Sequence, residues 1–303
     1  LGEFGPDVKA AVAPLAAAAR DKDAEVRQAA FDALAYHGAD AVPALVGLLK
    51  DKDATVRSAA AYALGDIGQE TAKDALKPLM DALKDKEAGV RAAAATALES
   101  FAEDKAALPS LIGLLKDDDR KVRAAAVGTL GRFGPDAKEA VPALLGALKD
   151  KEAEVRVNAI YALRGVQDAK PFIKPLIDAL GDKDADVRAA AAFILSERAP
   201  DAKEAVRPIL KLLNDPAASM RAAGAGALGG FGPDAKPAVG PLVQLLRDKD
   251  ENAAASAAAA LGRIGPDAKA AVEPLLAVLK DEKSPIRREA VQALGRIGSD
   301  VKE

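Results

Sequence analysis

The chain has no cysteine, no tryptophan and only one histidine, His37, among its 303 residues. Without cysteine there can be no disulfide, thiolate nucleophile or sulfur-based metal centre. One imidazole is too few for a histidine-rich metal site. Aromatic residues are scarce, with three tyrosines and seven phenylalanines. Charge of one sign is missing too: 43 basic residues face 46 acidic ones, a net −3. That balance gives no global field favouring nucleic acid or an anionic membrane. No stretch approaches the ~20 uninterrupted bulky apolar residues of a membrane span, and the beginning shows neither an initiator Met nor a signal-like segment. The chain is therefore expected to be soluble, without membrane insertion and with the cytoplasm favoured, and it reads as a fragment. None of Asn158, Asn214 and Asn252 lies in a glycosylation sequon.

What the chain does contain is itself, nine times over, at a period near 33 residues. Each copy runs from proline through an apolar stretch to Asp, then Val-Arg, Ala-Ala-Leu and Gly. The arginines are Arg27, Arg57, Arg91, Arg123, Arg156, Arg188, Arg221 and Arg287, and only the eighth copy departs, with Ala254. Copies of this kind stack on their neighbours, so the fold is expected to be one array over residues 1–303 rather than a set of separate cores.

Residues 135–165 show how one copy is built. Val141, Leu144, Leu145 and Leu148 recur at helical spacing, and so do Val155, Ala159, Ala162 and Leu163. Two short amphipathic helices per copy follow. Prolines at 14, 43, 78, 109, 142, 175, 208, 241 and 274 lie where the first helix opens or bends. Between the helices stands Asp-Lys-Asp or Asp-Lys-Glu, whose acid ahead of the second helix caps its free amides and complements its dipole. After the second helix, Gly-Pro-Asp-Ala-Lys at Gly134, Gly232 and Gly265 supplies a left-handed cap and a stop.

The first aspartate of each loop and the arginine six residues later recur as a pair. The pairs are Asp21 and Arg27, Asp51 and Arg57, Asp85 and Arg91, Asp117 and Arg123, Asp150 and Arg156, Asp182 and Arg188, Asp215 and Arg221, and Asp281 and Arg287. A helix-borne guanidinium there can bond its own aspartate and that of an adjacent copy, forming a structural ladder. An eightfold-recurring charge pair is no catalytic device, because chemistry needs one special place. In the eighth copy Asp248 is expected to lose its local guanidinium. The alanine-rich helix that follows should make this copy the least stable segment.

The pattern L-x-D-x-[DE]-x-x-V-R-x-x-A-x-x-A-L-G-x-[IF]-G resembles HEAT repeats of the bacterial, bilin-lyase-like subclass, across essentially the whole chain. The resemblance implies an all-α, right-handed α-solenoid of about nine two-helix repeats, with first helices convex and second helices concave. Its regularity also suits a consensus-like or engineered array. Among enzymes on similar folds, the deoxyhypusine hydroxylase type needs several His-Glu pairs for iron. The alkylpurine glycosylase type needs aromatic and basic groove residues. Neither set is here, whereas a bilin-lyase-like role stays open, since fold does not assign activity.

Function would be written at the variable positions of the second helices. Phe31, Tyr36, Tyr62, Val157, Asn158, Ile160, Tyr161 and Phe193 fall there, with small residues such as Ala92, Ala93, Ala124, Ala189 and Gly226 between them. Exposed aromatics are favoured anchors, and small neighbours admit a helix or an extended peptide. Charge along this face runs from Asp32 and Asp66 through Glu197 to Arg263, Arg288 and Arg296. Phe101, Phe133 and Phe231 replace a core isoleucine and should be buried. His37 reads as a surface residue near a helix cap, and Gly229-Gly230 as a helix ending. The expected function is a non-enzymatic scaffold that binds a protein or peptide, without cofactor, metal or nucleic acid. A chromophore protein and a spacer or engineered scaffold are the alternatives. Both ends break inside the pattern, Leu1 to Gly5 as the tail of a second helix and Ser299 to Glu303 as the opening of a repeat. Together with apolar Val12 and Leu15, they allow end-to-end self-association.

Overall fold

The computed structural model describes residues 7–298, so the two terminal stretches singled out above, Leu1 to Gly5 and Ser299 to Glu303, lie outside the described residues. All regular structure among those residues is helical, as the periodicity predicts. The chain divides into two compact units, residues 1–167 and 168–303.

The first unit stacks five helix pairs. They are α1 (Asp7–Ala18) with α2 (Ala24–Tyr36), α3 (Val42–Leu48) with α4 (Ala54–Ile67), α5 (Leu76–Ala82) with α6 (Ala88–Ala97), α7 (Leu108–Leu114) with α8 (Arg120–Arg132), and α9 (Val141–Ala147) with α10 (Ala153–Leu163). The second unit stacks four: α11 (Lys170–Ala179) with α12 (Ala185–Glu197), α13 (Val206–Leu210) with α14 (Ala218–Gly230), α15 (Val239–Leu245) with α16 (Glu251–Ile264), and α17 (Val272–Lys280) with α18 (Arg287–Ile297). Within each unit the second helices pack side by side, and each also packs on its own first helix.

Local chemistry sets these boundaries. Pro43, Pro109 and Pro142 open α3, α7 and α9, where a missing amide costs nothing, while Pro175 is accommodated inside α11. The third loop residue caps the second helix where it is aspartate: Asp53 Oδ1 accepts from the Thr55 amide at 2.8 Å, and Asp119 from Lys121 at 2.7 Å. Glu87 and Glu152, one carbon longer, hold the same position without a side-chain cap. Gly134 turns the chain out of α8 at φ 52, a left-handed conformation that a Cβ would strain.

Leucines dominate the core. Leu45, Leu79, Leu111 and Leu144 from first helices meet Leu34, Leu64, Leu98 and Leu130 from second helices, all fully buried. Phe101, Phe133 and Phe231 join them at 0 to 4% exposure, as expected. Neighbouring second helices touch through glycine. A Cβ on Gly65 would stand 2.8 Å from the Ala97 Cα, and one on Gly262 would stand 2.9 Å from the Ala293 Cα. So Gly229, expected only to end a helix, also lets α14 approach α16: its Cβ would lie 3.0 Å from the Ala260 Cα.

The ladder forms, with a division of labour that spacing alone left open. An arginine of the ladder reaches its own loop through backbone carbonyls, and where it holds a carboxylate, as Arg57, Arg91, Arg123, Arg188 and Arg221 do, that carboxylate belongs to the next copy. Arg123 Nη1 donates to the carbonyls of Asp117 and Asp118 at 2.9 and 3.0 Å, while Nε and Nη2 clamp Asp150 at 2.7 and 3.0 Å. Arg57 holds Asp85, Arg91 holds Asp117 and Arg221 holds Asp248 in the same way, while Arg188 reaches Asp215 through Nη2 alone at 3.0 Å. Arg27 reaches only the carbonyls of Asp21 and Lys22, and Arg20 takes its place at Asp51.

Two expectations are corrected by this geometry. Asp248 does not lack a guanidinium, because Arg221 supplies one; the aspartate left over by Ala254 is Asp281, which accepts only the Lys283 amide. Arg287 does not pair with Asp281 either. With no carboxylate in reach among the described residues, its Nε donates to the Leu279 carbonyl at 3.2 Å.

The guanidinium beside each carboxylate holds Asp85, Asp117 and Asp248 below the ordinary carboxyl range. At Asp51 the Asp53 amide does most of this. Burial pushes the Asp150 carboxyl up, but Arg123 and the Glu152 amide together pull it down further.

Candidate protein-binding face

Counted from the ladder arginine, the residues one, five and nine positions later form a single ridge along each second helix, because four residues make slightly more than one helical turn. In α2 these are Gln28, Asp32 and Tyr36; in α4 they are Ser58, Tyr62 and Asp66; in α12 they are Ala189, Phe193 and Glu197. The large apolar side chains that stay exposed concentrate on this ridge. Tyr36 is 79% exposed, Tyr62 49%, Tyr161 47% and Phe193 44%.

Phe31 and Ile160 do not belong with them. Both lie four positions after the arginine, about 100° around the helix from the ridge, and are buried at 4% and 0%. In α2 that position faces α4, and it is apolar for packing. Val157 and Asn158 are half-buried, with Val157 at the foot of Tyr161 one turn away. Ala92, Ala93 and Ala124 are also packed rather than displayed.

In the first unit the ridge encloses a cleft of about 290 Å³ between α2 and α4, lined by Gln28, Phe31, Asp32, Ala59, Tyr62, Ala63 and Asp66. Phe31 forms its floor and Tyr62 its wall. The Gln28 amide donates to Asp32 Oδ1 at 2.8 Å, which orients that carboxylate; nothing in the repeat pattern pointed to this bond. Further along, Arg132 lies 3.7 Å from Glu99 on the same surface. Thr129 in α8, also unmarked by the pattern, is fully buried and donates to the Ala95 carbonyl of α6 at 2.8 Å.

In the second unit Phe193 stands above Ser196, whose hydroxyl donates back to the Phe193 carbonyl at 2.7 Å. Arg263 is exposed near the end of α16. Arg288 pairs with its neighbour Glu289 at 2.8 Å, lowering the Glu289 carboxyl, so its charge is already engaged within the helix. His37 sits at the C-cap of α2, half-buried. No group of three or more His, Cys, Asp or Glu residues among the described ones is arranged to hold a metal ion. No helix among them is long and apolar enough to cross a membrane.

A family model described as HEAT repeats matches residues 12–82, 76–164, 173–242 and 239–302. Among solved structures, the chain is similar to an engineered protein from the Northeast Structural Genomics Consortium, at TM-score 0.59 and 24% identity, over 95% of this chain and 89% of that one. It is also similar to Kap95 in the Kap95:Nup1 complex, at TM-score 0.73 and 18% identity, over 96% of this chain and 47% of that one. Kap95p bound to RanGDP matches at TM-score 0.63 and 15% identity, over 94% and 47%. The chain thus spans about half the length of the Kap95 chains it matches. No curated protein sequence matches it.

Proposed function

The chain belongs to the HEAT-repeat family, and from that premise we propose that it is a non-enzymatic scaffold whose second-helix ridge binds a peptide or a helix of a protein partner. The observation that carries this reading is the recurrence of Tyr62, Tyr161 and Phe193 at one ridge position of three different copies, each close to half exposed. A folded chain has little reason to leave rigid aromatic rings in water at the same phase of several second helices unless they are covered in use. The cleft beneath Tyr62 gives one such ring a neighbouring depression into which a partner side chain fits. Two of the similar structures, those of Kap95, hold protein partners according to their descriptions, which agrees with this use of the fold.

The test is a selection of random helical and extended peptides on the intact chain, followed by titration of the strongest binder. Tyr62→Ala, Tyr161→Ala and Phe193→Ala together should weaken binding by about a hundredfold, roughly 1 kcal/mol per buried ring, while leaving thermal unfolding unchanged. Undiminished affinity in the triple variant, or a selection that yields no binder, refutes the proposal.

A further inference from the structure

The junctions between successive second helices within a unit share one plan, although Arg20 stands in for Arg27 between α2 and α4 and Ala254 removes the charge pair between α16 and α18. The leading side of one helix offers the ladder arginine, the residue four positions on and the glycine-phase residue eight positions on. The trailing side of the next offers the loop aspartate, the residue before its arginine and the alanine six positions after it. In this way Arg57 meets Asp85 and Gly65 meets Ala97 between α4 and α6, and Arg221 meets Asp248 and Gly229 meets Ala260 between α14 and α16.

At the two extreme second helices, one half of this junction is present without the other. On α2 the residue before the arginine, Val26, is 42% exposed, whereas its counterparts Val56, Val90, Val122, Val155, Met220 and Ile286 are 0 to 3% exposed. Asp21 accepts the Asp23 amide at 2.8 Å, the same turn that presents Asp85 to Arg57, but no guanidinium clamps it among the described residues. On α18 the position four after the arginine is Val291, 52% exposed, where Phe31, Ala61, Val127 and Ala225 are nearly or fully buried. A Cβ on Gly295 would have nothing within 4 Å, and Arg287 has turned to a backbone carbonyl.

We propose that these two faces are docking surfaces for each other: α18 of one copy of this chain seats on α2 of a second copy and remakes the inter-repeat junction between molecules. Arg287 would leave the Leu279 carbonyl for Asp21 of the second copy, Gly295 would admit Ala33, and Val291 and Val26 would each be covered. Opposite charge at matching positions and the fivefold use of the same arginine–aspartate joint within the units identify the occupant as another copy. The contact is heterologous, so it joins copies head to tail.

Sedimentation velocity across a concentration series of the intact chain tests this. The weight-average mass should rise above 31.0 kDa with concentration. Val26→Glu and Val291→Glu should each weaken association by about tenfold or more, as expected for removing one buried valine contact. Asp21→Arg and Arg287→Asp should each do the same alone, because like charges then meet at the joint. An equimolar mixture of those two variants should associate again, since both kinds of junction in the mixture pair opposite charges. A chain that stays at monomer mass throughout overturns the proposal. So does association that survives the valine substitutions, or a charge-swap mixture that fails to recover.

Discussion

Replacing Arg123 by Met removes one rung of the ladder while keeping most of the apolar stem of the side chain. The wild-type guanidinium makes four hydrogen bonds, two to the Asp150 carboxylate and two to the carbonyls of Asp117 and Asp118. Its side chain is 6% exposed and that of Asp150 11%, so the carboxylate left behind is largely cut off from water. The two carbonyls lie in a loop and can be rehydrated, which limits the loss. Removing one partner of a pair this well shielded costs about 3 kcal/mol. A stacked array does not melt as one unit, so a global midpoint would dilute the effect. Native-state hydrogen exchange reads it locally. The chain holds its own control: the Lys283 amide is bonded to Asp281, which has no guanidinium, as the Glu152 amide is bonded to Asp150, which has one. In the wild type Lys283 should therefore exchange faster than Glu152. Arg123→Met should accelerate Glu152 by about two orders of magnitude, the equivalent of the estimated cost. A change within about threefold would refute the view that the ladder holds adjacent copies together.

Two further outcomes follow from packing and charge. Gly65→Ala places a Cβ 2.8 Å from the backbone of α6 and should lower stability by about 1 to 3 kcal/mol. Gly47→Ala in α3 meets nothing within 4 Å and should be neutral or gain up to about 1 kcal/mol; equal losses in urea titrations of the two variants would show that close approach is not what Gly65 provides. Asp85, Asp117 and Asp248 titrate below their unfolded value through their arginines, so the stability they add is complete above about pH 4 and disappears as pH falls through their folded values. Circular dichroism should show a flat plateau above about pH 5 and acid unfolding below about pH 4, and a loss already near pH 6 would implicate other groups.

The repeated helix pairs and most of their ends were legible in the sequence because they depend on neighbours in the chain. Periodic leucines, Asp53 one residue ahead of α4 and Gly134 just past α8 act within a few residues of themselves. The exposed ring positions were half legible. Tyr62 and Phe31 lie in adjacent variable slots of the motif, and a rotation of 100° that no composition marks sends one into water and the other under it. Arg132 and Glu99, or Gln28 and Asp32, carry no signal in the repeat at all, since each departs from the consensus at a position that tolerates many residues.

The amino-acid order alone determined that this is an array of two-helix copies, where each helix starts, and that arginine and loop aspartate belong to a structural ladder. The tertiary structure decided which aspartate each arginine holds, and so moved the unclamped carboxylate from Asp248 to Asp281. It also decided that Phe31 and Ile160 are floor and packing, and that Val26 and Val291 face outward. The physical reason is that helix formation, capping and turning are settled over one or two turns of chain. A carboxylate six residues back and one about 27 residues ahead look alike in the sequence, and only the stacking of one copy on the next brings the second to bonding distance while leaving the first to offer its carbonyl.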